Sequence, residues 1–283
     1  MNLLKLVPLL LILFLTNSSS FPQDNDEILT GYLKVLRPYT NYTQTEFIKK
    51  IDSLSVDSLK QCAALMYKAY ENGAGEVTLA FKKIYEKEKE EFINPAFPPS
   101  RNITWVVQYE FQERFEKVFS LHMTVKINVP IYVKARIIGK RTDSSHVVRN
   151  MYIKYPEYNI LIEDVLKGKK YSIGDTSWFY YMYHWSREEI METYHVKEFK
   201  TGESYLLPLN TVYSEGRIWY ALDGYYFYFD NLLIQDGYLY DNRNTFGMGE
   251  KVSWEEFKRK FLEDAEKIKS GKGSLIIVLC VNI

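Results

Sequence analysis

Apolar residues recur at helical spacing through the first third of the chain and at strand spacing through most of the rest. Ile28, Tyr32, Leu33 and Leu36 form one stripe before Pro38, and Phe47, Ile48, Ile51 and Leu54 form the next. Asp57 stands at a cap position ahead of Leu59, Cys62, Ala63, Met66 and Tyr70, and Gly73 predicts the stop. Val77, Phe81, Ile84 and Tyr85 then lead into Glu86-Lys-Glu-Lys-Glu-Glu91. That charge run reads as a solvated helix face, with opposite charges at i,i+4 worth ~0.3 kcal/mol a pair. Asn94-Pro-Ala-Phe-Pro-Pro-Ser100 forbids helix continuation, so a helical region (21–94) is predicted to end in a Pro-rich linker (95–100) before a second domain (101–283).

Residues 103–119 satisfy two patterns at once. Val107, Phe111, Phe115 and Phe119 share a helical face flanked by Glu110/Arg114 and Glu113/Lys117, while Ile103, Trp105, Val107, Tyr109 and Phe111 alternate as in a strand. The paired charges favour helix.

From Thr124 the alternation is plain: Val125, Ile127, Val129, Ile131, Val133, Ala135 and Ile137 oppose Lys126, Asn128, Tyr132, Lys134 and Arg136, and Gly139 is expected to end the run. One face is predicted to be buried and the other wet. Further strands are expected over Met151 to Leu166, interrupted at Pro156, and over Thr176 to Trp185, Tyr205 to Tyr213 and Arg217 to Asp223. A Tyr-rich hairpin, Tyr225 to Tyr240, should turn near Gln235-Asp-Gly237. Ser186 with Glu189 caps a short helix (Arg187 to Tyr194), and Ser253 with Glu256 caps a longer one whose apolar face is Trp254, Phe257, Phe261, Leu262, Ala265 and Ile268. Leu275 to Val281 reads as a closing strand. No internal repeat is present.

The run Val133-Lys-Ala-Arg-Ile-Ile-Gly139, the strand Ile160-Leu-Ile-Glu-Asp-Val-Leu-Lys-Gly168, the Gly174-Asp175 turn and Phe199-x-x-Gly-Glu-x-Tyr-Leu-Leu207 resemble the OB-fold barrel, most closely its netrin-like or metalloproteinase-inhibitor-like branch. The resemblance covers about residues 125–223. It implies an OB-like antiparallel β-barrel, so that with the helical N-terminal region and the C-terminal helix and strand read from the pattern above, the expected fold class is α+β. Gly168, Gly174 and Gly202 would supply its turns, and Phe199, Tyr205 and Leu207 its plug. Inhibitors of this branch bind metal through an N-terminal cysteine, which this chain does not carry after the expected cut, so protease inhibition does not transfer.

Charge and export narrow the partners. Lys plus Arg and Asp plus Glu number 36 each, leaving no global field to draw in nucleic acid or a strongly anionic membrane. Lys5, the apolar run Leu6 to Leu15 and Thr16-Asn-Ser-Ser-Ser20 have the layout of a secretory signal, with Ser18 and Ser20 at the −3 and −1 positions of a cut before Phe21. The run is shorter than the roughly 20 residues that span a bilayer, although an uncleaved anchor is the alternative. A secreted or periplasmic chain is expected, with no integral membrane segment after cleavage. Cys62 and Cys280 are then either bridged or two separate buried thiols.

Trp178-Phe-Tyr-Tyr-Met-Tyr-His-Trp185 is the candidate binding stretch, with Trp178, Tyr180, Tyr181, Tyr183 and Trp185 as its residues. In a strand, Trp178 and Tyr180 face one way and Tyr181, Tyr183 and Trp185 the other. One row would be buried, and the other would stack on a partner protein or a glycan, or else pack on the N-terminal helices. The Tyr225-Tyr-Phe-Tyr-Phe229 run admits the same readings.

His122, His146, His184 and His195 have no metal-ligand spacing, and Asp236, Asp241, Asn242 and Asn244 do not follow the EF-hand order. No metal or cofactor is expected. No G-x-S-x-G occurs, and Glu163/Asp164 and Glu188/Glu189 read as surface and cap residues. Asn41-Tyr-Thr and Asn102-Ile-Thr accept glycans only on a eukaryotic secretory route. The expectation is an exported non-catalytic protein that binds another protein; the alternatives are carbohydrate binding through exposed aromatics, then an unrecognised hydrolase.

Overall fold

The computed structural model describes residues 44–73, 76–77, 79, 114–116, 118–141, 145–148, 151–154, 157–180, 199–214, 217–222 and 232–270. The expected signal, linker, short helix 187–194 and closing strand lie outside these residues, as do Tyr181, Tyr183, Trp185, residues 225–229 and Cys280.

The described residues form an α+β structure. Its helices are α1 (Gln44–Asp52), α2 (Val56–Tyr70), α3 (Leu121–Asn128) and α4 (Trp254–Lys269). Its strands are β1 (Ile131–Arg141), β2 (Ser145–Val148), β3 (Met151–Lys154), β4 (Glu157–Lys167), β5 (Thr176–Tyr180), β6 (Ser204–Ser214), β7 (Arg217–Leu222), β8 (Leu233–Gln235), β9 (Tyr238–Tyr240) and β10 (Lys251–Ser253). Strands β2 and β3 pair as a separate hairpin, and the other eight form one sheet in the order β1-β4-β5-β7-β6-β8-β9-β10. β1 also pairs with β6, from Ile131↔Leu209 to Arg136↔Ser204. Every pairing is antiparallel except β5 with β7, where Tyr180 stands opposite Ala221 in parallel.

Alternation builds the core. Val133, Ala135 and Ile137 of β1, Tyr158, Ile160 and Ile162 of β4, Phe179 of β5 and Tyr205, Leu207 and Leu209 of β6 are all buried. Tyr158 stacks on Phe179 at 5.7 Å, and Phe199 meets Tyr158 edge-on at 5.2 Å and Tyr205 at 5.0 Å. Such pairs contribute about 1 kcal/mol each beyond the area they bury. Gly202 turns the chain into β6 with φ +92°, a conformation that favours glycine.

The helices cover one end of the sheet. Ser253 accepts the Glu256 amide at 3.3 Å and starts α4 as its spacing predicts. Trp254, Phe257, Phe261, Ala265 and Ile268 are buried, but Leu262 is 41% exposed, because a helical face aligned on 257, 261, 265 and 268 leaves 262 at its edge. In α2 the cap is Ser55, whose hydroxyl accepts the Ser58 amide at 3.1 Å; Asp57 lies in the first turn instead, near the positive end of the helix dipole. Gly73 follows α2 with φ +98°, and a Cβ there would collide with the Thr211 side chain of β6, so the chain leaving α2 passes close against that strand.

The alternating run does not begin as a strand. Thr124–Asn128 belongs to α3, and strand geometry starts at Ile131. All five residues are buried, so no solvent-facing period distinguishes helix from strand here. Tertiary contacts decide the conformation. Lys126 Nζ lies 2.7 Å from Asp264 Oδ2 on α4, and Lys167 Nζ donates to the carbonyls of Lys126 (2.8 Å), Ile127 (3.0 Å) and Val129 (2.7 Å) at the helix C-terminus. The Lys167 ammonium also lies 4.0 Å from the Tyr67 ring centroid. Tyr132, expected on the wet face, is buried: its hydroxyl donates to Val125 O at 3.0 Å and its ring meets Phe261 at 5.1 Å. Nor does Gly139 end β1, which continues to Arg141.

Candidate functional site

Beyond the helix-covered end, the outer face of β1, β4 and β5 carries side chains that run from buried (Glu157) through half-buried (Asn159, Trp178) to exposed (Arg141). On β4, Tyr158, Ile160 and Ile162 point into the core, so Glu157, Asn159, Leu161 and Glu163 point outward. The β4–β5 register sets Trp178 opposite Asn159 and Tyr180 opposite Glu157, while Phe179 is buried opposite Tyr158. The β1–β4 register shifts between Ile137 and Gly139, after which Gly139 stands opposite Asn159 and Arg141 opposite Glu157. One extra residue in a strand reverses which side chains face out. That shift brings Arg141 onto the same face as Trp178, two strands away.

The two side chains meet. The Arg141 guanidinium carbon lies 3.5 Å from the centroid of the half-buried Trp178 ring. Among the described residues Arg141 is exposed and makes no hydrogen bond or ion pair. Asn159, on the strand between them, keeps Oδ1 buried without a hydrogen-bond partner.

Nearer the helices the charges are satisfied. Glu163 accepts from Arg136 Nε (2.7 Å) and Ser204 Oγ (3.0 Å) and lies 3.4 Å from Lys134 Nζ. Burial alone would raise its carboxyl, but the Arg136 and Ser204 hydrogen bonds and the Lys134 and Arg136 charges hold it below the usual range. Asp164 accepts from Lys258 Nζ (2.6 Å) and Trp254 Nε1 (3.3 Å). These residues tie β4 to α4 and β1.

Of the aromatic stretch nominated by sequence, Trp178 lies half-buried on the outer face and Tyr180 in the same strand, while Tyr181, Tyr183 and Trp185 are outside the described residues. Arg141 and Asn159 escaped the sequence reading. The available signal was the break in alternation at Ile137-Ile138-Gly139, which a bulge explains better than a strand end.

Other candidates have structural roles. Cys62 is a free, buried thiol that burial pushes up to about 12, so it is a small hydrophobe rather than a nucleophile. Asp241 Oδ2 accepts the Phe246 amide at 2.9 Å and Asn244 Oδ1 the Gly249 amide at 2.7 Å, closing the loop ahead of β10. His122 Nδ1 lies 3.1 Å from Thr245 O. Among the described residues no group of three or more His, Cys, Asp or Glu is placed to hold a metal ion, and no helix is long and apolar enough to cross a membrane. A shallow groove of about 550 Å³ beside α4 is lined, among the described residues, by Arg259, Leu262, Glu263, Glu266 and Lys267. No protein-family model matches the chain, and no curated protein is significantly similar to it.

Proposed function

We propose that the chain is an exported, non-catalytic binding protein that takes a protein partner on the outer face of β1, β4 and β5. The observation that carries this reading is the Arg141–Trp178 stack: an exposed cation laid flat on a half-buried indole, with no other partner among the described residues. Trp and Arg are enriched among residues that dominate binding energy, because they combine large contact area with fixed donors. The support for export is the Lys5, Leu6–Leu15 and Ser18/Ser20 layout.

The same proposal includes an OB-like barrel. Its support is the cyclic order of pairings, β1 to β4, β5, β7, β6 and back to β1, with the parallel β5–β7 neighbours that such an order requires. In barrels of this kind the face built on the second and third strands takes ligands, and those strands correspond here to β4 and β5. A glycan is the weaker reading, since Arg141 already covers one face of the Trp178 ring and a sugar stacking there would have to displace it.

The test is site-directed crosslinking in the producing cell. A photoreactive phenylalanine at position 178 should trap a defined protein, while the same group at Ile173, 70% exposed in a turn away from the stack, should not. Equal, diffuse labelling from both positions would refute the binding face. Recovery of the chain outside the cytoplasm, beginning at Phe21, is the expected mark of export.

A further inference from the structure

We infer that Arg141 and Trp178 form a recognition site for a single carboxylate side chain on a peptide partner, an inference that rests on the binding reading above.

The argument is one of unspent donors. A guanidinium carries its N–H groups in its own plane, so stacking on an indole leaves their edges open to a bidentate acceptor. Arg141 lies 3.5 Å from the Trp178 centroid and has no acceptor among the described residues. The ring fixes the fork before the ligand arrives, which lowers the ordering cost of binding.

Charge sets the ligand class. The other outward cations of β1 are engaged: Lys134 and Arg136 both face Glu163. Lys140 stands opposite the buried Tyr158, 5.8 Å from its ring, on the other side of the strand. Among the described residues one guanidinium without an acceptor therefore remains, a single fork for one anion. A carboxylate fits these conditions better than a phosphate. The carrier is a peptide because the indole beside the guanidinium offers apolar area to residues flanking the acid.

The experiment selects binders of the full chain from a random dodecapeptide library displayed on phage, in parallel with Arg141→Gln and Trp178→Ala variants. The expected result is enrichment of peptides with Asp or Glu at a fixed position beside an apolar residue. Resynthesised with Gln at that position, they should bind about tenfold more weakly or worse. Arg141→Gln should lose them to the same extent, and Arg141→Lys should recover only part, since lysine keeps the charge but not the planar fork. Because Arg141 is exposed, its variants should melt as the parent does. Enriched peptides that lack an acid yet depend on Trp178 would overturn the carboxylate site while leaving the binding face intact. No specific enrichment at all would remove both.

Discussion

The two ends of one strand face treat their polar groups differently. At the start of β1, Tyr132 is roofed by Phe246 and Phe261, and the neighbouring buried cations are fully engaged: Lys126 by Asp264, and Lys167 by three carbonyls and the Tyr67 ring. At its end, Arg141 leans on Trp178 and makes no hydrogen bond or ion pair among the described residues. Under the helices every desolvated charge must find a counterpart, or the fold bears the full cost. A cation that stays in contact with water, as the exposed Arg141 does, can be left for something else to satisfy. The contrast separates what holds this protein together from what it offers to a partner.

The largest expected effect is at Lys167. Lys167→Met removes the donor for three helix-terminal carbonyls in a buried site, so a loss of about 4 kcal/mol is expected in urea unfolding. A loss under about 1 kcal/mol would show that water or another donor replaces the ammonium. Next is the Lys126–Asp264 pair. Burial pushes the Lys126 ammonium down and Asp264 restores part of it, while the Lys126 and Lys267 contacts hold the Asp264 carboxyl below its usual range against burial. Lys126→Met leaves the Asp264 carboxylate with only the exposed Lys267 contact and should cost about 3 kcal/mol. The double variant Lys126→Met/Asp264→Leu should recover most of that loss, a coupling that a double-mutant cycle measures.

Acid should find the same weakness more gently. The Asp264 and Glu163 carboxyls are held down in the fold, so the unfolded chain binds protons more readily than the native state. The stability they contribute is complete above about pH 5 and is lost as pH falls through their native values. Stability measured from pH 6 to pH 2 should therefore decline, and Asp264→Asn should flatten part of the slope. The smallest effect is expected at the open end, where Arg141→Gln should change stability by no more than about 0.5 kcal/mol. A large destabilisation there would mean that the stack belongs to the scaffold, and the contrast between the two ends would collapse.

Much of the local structure was legible. The Ser253/Glu256 spacing located α4, and Asp236-Gly237 the β8–β9 turn, because caps and turns need particular residues within a few positions of each other. The edges of β6 and β7 followed from alternation between glycines and polar residues. Legibility failed where the period carried no information. Thr124–Asn128 alternates like a strand yet forms α3, since burial on every side removes the contrast that alternation encodes. Trp178 could be nominated from its chemistry, but its companion Arg141 depends on a register shift and on a contact 37 residues away along the chain.

By itself, then, the sequence determined where helices and strands start and stop, wherever a cap, a turn glycine or a half-wet face marked the position, because those signals act over one or two turns of chain. Only the tertiary structure decided that 121–128 coils, that Tyr132 is buried, and which side of β1 carries Arg141. Each of these turns on the partner presented from elsewhere: Lys167 for the helix end, Phe246 and Phe261 for the tyrosine, and β4 for the bulge that reverses the strand's faces.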